Sequence, residues 1–378
     1  MATEQASPAA PKPRRTTPST GDARRQRVLD RIGAICAVLT EQPMSLYAAA
    51  VLRIGYGLLY LAFLLREFPH RDEIWGPGSA WTPALATQLF DQTRWSSVLT
   101  LSDSRVYFEV CYTLAVVTCA LFVLGWRTRA VSVLFAVVVA SFHARAIYMA
   151  DGGDNLILLM AVYLAFTACG RRWSLDARRA RLRACARKAG GLAAGRTTPD
   201  PLLQLGLARR LLTTVVHNCG MFVIAAQVCI LYGAAGLYKV QGGLWGNGTA
   251  LHYVLNLHLF RPWPELSLMV ADRQMLIAIA GYLAVLLQVA FPFVLFGRFK
   301  YIVLAMLFGM HLGIAVLLGL PIFSGAMIIA DAVFLPDRFY RFLGQMWQGT
   351  FRRRAAKGAG IPSPVTTPLV PPQPGSAG

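Results

Sequence analysis

The sequence predicts an all-α fold, a polytopic transmembrane helix bundle of about eight spans. Three observations carry that prediction. The 378 residues are 56% hydrophobic and only 15% charged, more apolar surface than a single soluble core hides. Apolar runs of roughly 20 residues, each long enough to cross ~30 Å of hydrocarbon, recur along the chain. The 37 basic residues, against 18 acidic, collect in the gaps between those runs. That placement accounts for the net charge of +19 as membrane topology, so no nucleic acid is expected as a partner.

Taken in order, residues 1–42 are rich in Pro, Ala, Arg and Thr and read as a disordered basic cytoplasmic tail without a signal-peptide core. An integral membrane domain is expected over 43–340. Its first span is 46–65, followed by a polar outer segment, 66–105. The second, 106–126, ends at the turn Arg127-Thr128-Arg129. The third, 130–150, meets the fourth, 155–170, through Asp151-Gly152-Gly153-Asp154. The most basic stretch of the chain follows, from Arg171 to Arg210. The fifth span, 212–238, leads into a loop, 239–273. The sixth, 275–296, turns back at Arg298-Phe299-Lys300 into the seventh, 301–320. The eighth, 322–335, lies between Pro321 and Pro336. Its length covers only ~21 Å at about 1.5 Å per residue, which predicts a thin or partly re-entrant element. Residues 341–378 read as a basic and then Pro/Gly-rich cytoplasmic tail.

The positive-inside rule orients these spans. With residues 1–42 inside, Arg127/Arg129, the 171–210 stretch, Arg298/Lys300 and Arg352–Arg354 all fall inside as well. The two long aromatic-rich loops fall outside. The expected location is the cell membrane, multi-pass, with both termini cytoplasmic and anionic lipid meeting the arginines at the cytoplasmic face. The seven cysteines form no CxxC pair, so neither a disulfide framework nor a metal site is expected.

Charges and histidines inside apolar runs are costly, about 2.5–3.5 kcal/mol for a charge at a helix centre, and each needs a reason. Arg53 lies two turns into the first span, where it either snorkels to headgroups or meets an inward partner. His143 and Arg145 stand just before the Asp151-Gly-Gly-Asp154-Asn155 turn. There Asp154 or Asn155 can cap the next helix, and Arg145 can anchor at the interface or pair with Asp151 or Asp154. Lys239 closes the fifth span, as an interfacial anchor or as a desolvated base. His311 and Asp331 in the last spans, and His217 nearer the cytoplasm, fit interhelical hydrogen bonding. No Walker loop, GxSxG elbow, HExxH or dinucleotide-binding glycine turn is present.

Several motifs, in order, resemble the horizontally transferred transmembrane (HTTM) family, which shares its membrane domain with vitamin K-dependent gamma-glutamyl carboxylase. They are Leu52-Arg53-Ile54-Gly55-Tyr56-Gly57-Leu58-Leu59, the turn Gly153-Asp154-Asn155-Leu156, and Ala235-Gly236-Leu237-Tyr238-Lys239 followed by Trp245. His311, Phe323-Ser324-Gly325-Ala326-Met327 and Phe334-Leu335-Pro336 complete the series. The turn carries Asp-Asn where a histidine-containing segment stands in the carboxylase. The resemblance implies a quinone or vitamin K-like quinol as cosubstrate, with Lys239 as the base that takes the quinol proton. It implies that Asp154, Asn155 and His311 relay protons, with Arg53, His143, Arg145, Asp151 and Trp245 lining the binding region. Two functions follow. One is a membrane enzyme acting on a lipid-soluble quinol or small cosubstrate from the extracytoplasmic side. The other is a non-enzymatic accessory protein for maturation or export of a small secreted peptide. Whether the chain is an enzyme stays open at this point.

Overall fold

The computed structural model describes residues 29–31, 33–34, 36–189, 201–295 and 297–346. Nine helices form its frame: α1 Leu46–Arg66, α2 Arg105–Leu124, α3 Thr128–Arg145, α4 Gly152–Phe166, α5 Leu175–Ala189, α6 Pro201–Gln241, α7 Gln274–Val294, α8 Lys300–Leu317 and α9 Pro321–Asp331. No strand occurs among the described residues. Among the described residues six helices (α1, α2, α3, α6, α7, α8) are long and apolar enough to cross a membrane, and α4 and the α9 region are shorter apolar helices. The chain is therefore an all-α, multi-pass membrane protein with six to eight spans.

α1 sits at the centre, packed on α2, α4 and α9, while α6 packs along α7 and α8 packs on α9. Half of the most apolar window of α1 is buried, against 17% of that of α8. Both windows are strongly apolar, so α8 turns most of its surface outward, as a helix on the lipid side of a bundle does. Small residues permit the closest approach. A Cβ on Gly236 of α6 would lie 2.8 Å from the backbone nitrogen of Val289 on α7.

Helix ends follow local chemistry. Gly125 takes φ 68° after α2 and donates its N–H to Leu121 and Phe122. Asp151 opens α4 with a capping box, accepting from Gly153 N and Asp154 N while the Asp154 carboxylate accepts from Asp151 N. Pro321 occupies the first turn of α9, where a missing N–H costs nothing.

Several boundaries differ from expectation. The fifth span is the C-terminal part of a 41-residue helix that begins at Pro201, inside the most basic stretch of the chain. Arg209 and Arg210 are good helix formers, and a helix does not stop where a bilayer does. The same stretch holds α5, whose described side chains from Arg178 to Arg187 are exposed, so the connection is solvated but helical. The tail assigned to 1–42 is helical at the described residues within 29–40. Asn218 Nδ2 donates to the carbonyls of Val38, Leu39 and Gln42, closing that helix on α6. The outer loops carry short helices as well, Pro83–Thr93 in one and Ala250–Asn256 and Pro264–Ala271 in the other. The third and fourth spans end early, at Arg145 and Phe166. The eighth is an 11-residue helix continued by a 3-10 turn, Ala332–Phe334, in keeping with a thin element. Residues 1–28, the section 190–200, and 347–378 lie outside the described residues.

Candidate functional site

The residues singled out from the sequence separate into four places. Arg53 belongs to a clamp at the arginine-rich end of the bundle. It is fully buried, and its guanidinium donates to the carbonyls of Cys169 at 3.3 Å, Trp173 at 2.7 Å, and Phe122 and Val123. These carbonyls end α2 and follow α4, so Arg53 satisfies groups that a helix terminus otherwise leaves open. Buried in this way, it does not snorkel. His217 does similar work alongside. Its Nδ1 accepts from Ala168 N–H at 3.1 Å, which fixes Nε2 as the donor to Met44 O at 2.7 Å.

The outer corner holds the second group. A cavity of about 230 Å³ is lined by His143, Asp151 and Asp154 together with Arg66, Glu67 and Trp75. The sequence-predicted corner thus exists, but Asp151 and Asp154 are engaged with each other's backbone in the capping box. Asn155, read as a cap or proton relay, uses its amide on Asp151 O at 2.9 Å and is exposed. His143 Nδ1 is buried with no hydrogen-bond partner among the described residues.

Arg145 stands apart from that corner. Its Nη2 donates to Gly76 O at 3.1 Å, and its Nε and Nη1 are buried without a partner among the described residues. It forms neither of the expected pairs with Asp151 or Asp154, and its side chain turns toward the outer segment before Trp81 instead.

The fourth place is an intramembrane polar chain where α6, α7, α8 and α9 meet. Lys239 folds back along α6. Its Nζ donates to Gln288 Oε1 of α7 at 3.0 Å and to Ala235 O at 3.4 Å, and lies 5.3 Å from the Trp245 ring centroid. Gln288 in turn approaches Met310 Sδ at 3.9 Å, one residue before His311. His311 Nε2 is 3.0 Å from the Tyr232 hydroxyl, which donates to Asp331 Oδ2 at 3.0 Å. The single hydroxyl proton goes to the carboxylate, so the Tyr232 oxygen accepts from His311 Nε2–H. This leaves His311 Nδ1 and Asp331 Oδ1 buried and unpartnered among the described residues. Phe291 packs edge-on against Tyr232, with centroids 4.8 Å apart.

Phe323 separates this chain from the outer corner. Its ring lies 5.9 Å from that of His311, and its backbone is pressed on Gly153, where a Cβ would come within 2.7 Å. One aromatic residue therefore stands between His311 and the Asp151–Asn155 turn. The Lys239 amine is turned onto Gln288 and Ala235 and makes no contact with that turn. The sequence argument missed Tyr232 and Gln288. Tyr232 precedes Lys239 by seven residues, two helical turns on one face, and Gln288 is the one amide in its apolar run. No group of three or more His, Cys, Asp or Glu with metal-binding placement occurs among the described residues.

No known protein family, curated protein or solved structure matches this chain. Its function is therefore argued from the site alone.

Proposed function

We propose that this multi-pass membrane protein is an HTTM-type membrane enzyme in which Lys239 acts as base on a lipid-soluble quinol or similar hydroxyl-bearing cosubstrate. The observation that carries the proposal is the company Lys239 keeps. A half-buried amine is held by an amide oxygen, a backbone carbonyl and an indole face, with no carboxylate paired to it among the described residues. A lysine so placed, in its neutral form, takes a hydroxyl proton without having to break an ion pair. Behind it the His311–Tyr232–Asp331 chain offers three groups able to hold or pass a proton. In this scheme Trp245 is the flat apolar wall on which a quinol ring stacks, beside the Lys239 amine. The extracytoplasmic access and the cytoplasmic termini of this proposal rest on the positive-inside pattern.

One observation favours the accessory reading instead. Lys239 does not line the cavities of about 670, 230 and 220 Å³. A protein that only holds a secreted peptide partner needs no such cavity, and its buried polar residues then serve as interhelical hydrogen bonds. Mass spectrometry of lipid extracts from protein purified in mild detergent separates the two. Wild type should carry an isoprenoid quinone that Lys239→Ala loses. Bulk phospholipid alone in both samples would sink the enzyme proposal and leave the accessory one.

A further inference from the structure

A roomy cavity lies at the arginine-rich end of the bundle, away from the polar chain of Lys239. It measures about 670 Å³ and is lined by Tyr47, Thr128, Arg129, Arg171, Arg172 and Arg181, among others. We propose that it binds a phosphate group, either in the headgroup of an anionic phospholipid or as free phosphate. The site is independent of the function proposed above.

Charge is the first argument. Four arginines are among the residues lining this cavity, and the one carboxylate among them, Asp176, is already committed. Asp176 Oδ2 accepts from Thr128 N at 2.7 Å and Thr128 Oγ1 at 2.8 Å, and its Oδ1 accepts from Arg127 N at 3.1 Å. No salt bridge among the described residues involves Arg129, Arg171, Arg172 or Arg181. Burial, and then the positive charges of Arg129 and Arg210, lower the pKa of Arg171. Like charges are thus held together by the fold with one carboxylate, Asp176, among the described lining residues, and a bound anion relieves the remaining repulsion.

Donor geometry is the second. Arg129 spends Nη2 on Thr213 Oγ1 at 2.9 Å, and Arg172 lies over the Tyr47 ring at 5.2 Å. Both contacts fix the planes of these guanidiniums and leave other N–H groups to donate, as bidentate recognition of phosphate oxygens requires. Position is the third. The wall combines these arginines with Tyr47, Trp173 and the small side chains of Ala168, Ala177 and Ala180, where α1 begins and α4 has ended. An anionic head beside apolar wall at a helix-bundle end has the layout of a phospholipid at the membrane boundary.

The test uses the full chain and thermal melting. One arm compares nanodiscs of phosphatidylcholine alone with nanodiscs that also contain phosphatidylglycerol. The other, in detergent, compares inorganic phosphate with chloride at matched ionic strength. Stabilisation by phosphatidylglycerol only assigns a lipid headgroup, and stabilisation by inorganic phosphate as well assigns a site open to free phosphate. Apparent affinity should fall on the order of tenfold or more in Arg171→Gln/Arg172→Gln. Ala180→Trp, which keeps every charge and intrudes on the cavity, should weaken the effect. Arg178→Gln/Arg183→Gln removes two charges from α5 outside the cavity and should leave it intact. Absence of stabilisation in both arms overturns the proposal. So does equal loss in Arg178→Gln/Arg183→Gln, or wild-type binding by Ala180→Trp.

Discussion

Arg53 and Arg145 are buried to the same degree, at 0% and 1% exposure, yet one is satisfied and the other is not. Arg53 donates to four carbonyls from two segments, whereas Arg145 donates to one and keeps two nitrogens without partners among the described residues. Replacing each by methionine should therefore give opposite results. Arg53→Met strands the ends of α2 and of the segment after α4, a loss of about 3 kcal/mol or more. Arg53→Lys should not rescue it, because an ammonium is a point charge and not a fork. Arg145→Met replaces an imperfectly paired buried charge by an apolar group of similar length, so it should stay within about 1 kcal/mol of wild type or exceed it. Thermal melts in one detergent measure all three. The Tyr232 hydroxyl is a different case, since it serves His311 and Asp331 together. Tyr232→Phe leaves both unpaired and should cost about 1–2 kcal/mol, visible in the same melts, while Phe291→Leu beside it keeps the chain of bonds. That these charges needed a reason was legible in the sequence. What each one touches was not, because a partner on another helix leaves no periodic trace.

At the scale of elements, α6 and α7 form the most extensive helix pair of the bundle, and Gly236 lets them close. Gly236→Val places side-chain atoms against Val289 backbone and forces the pair apart. The expected cost is about 1–3 kcal/mol by thermal melting, together with loss of the quinone contact if Lys239 and Gln288 hold one. The α2–α3 turn is tied to α5 by Asp176. Burial by itself would raise the Asp176 carboxyl, but the donors of Thr128 and Arg127 outweigh it and hold the pKa below its usual value. The stabilisation is therefore complete above the unfolded-state pKa, about 4, and is lost as pH falls below it through the folded value. Asp176→Asn should lower the melting temperature at pH 7 by an amount that shrinks toward zero as pH falls through the lowered folded-state value. A difference that stays constant with pH would contradict this. Helix existence was readable from apolar runs, and boundaries were not. α6 runs 41 residues, roughly 60 Å, because hydrogen bonding and helix propensity carry it past the point where apolar composition stops.

For the whole molecule, orientation is the property with the widest consequence. Cys185 on α5 is exposed and lies in the segment that the positive-inside pattern places in the cytoplasm. A membrane-impermeant maleimide should label it in inside-out vesicles and not in intact cells, and reporter fusions at residues 85 and 260 should read as outside. Labelling of Cys185 from outside would invert the topology and, with it, the face on which Lys239 opens. The sequence by itself determined that this is an all-α membrane protein, where most of its helices run, and which polar residues are anomalous. Composition and hydropathy suffice for that, since each apolar run must meet the hydrocarbon with its backbone bonded internally. Only the tertiary structure decided the grouping: Arg53 with the carbonyls of Cys169 and Trp173, Lys239 with Gln288, Tyr232 between His311 and Asp331, and Arg129 with Arg171 around one cavity. These residues are separated by tens to more than a hundred positions, and lateral packing of helices, to which hydropathy is blind, sets which of them meet.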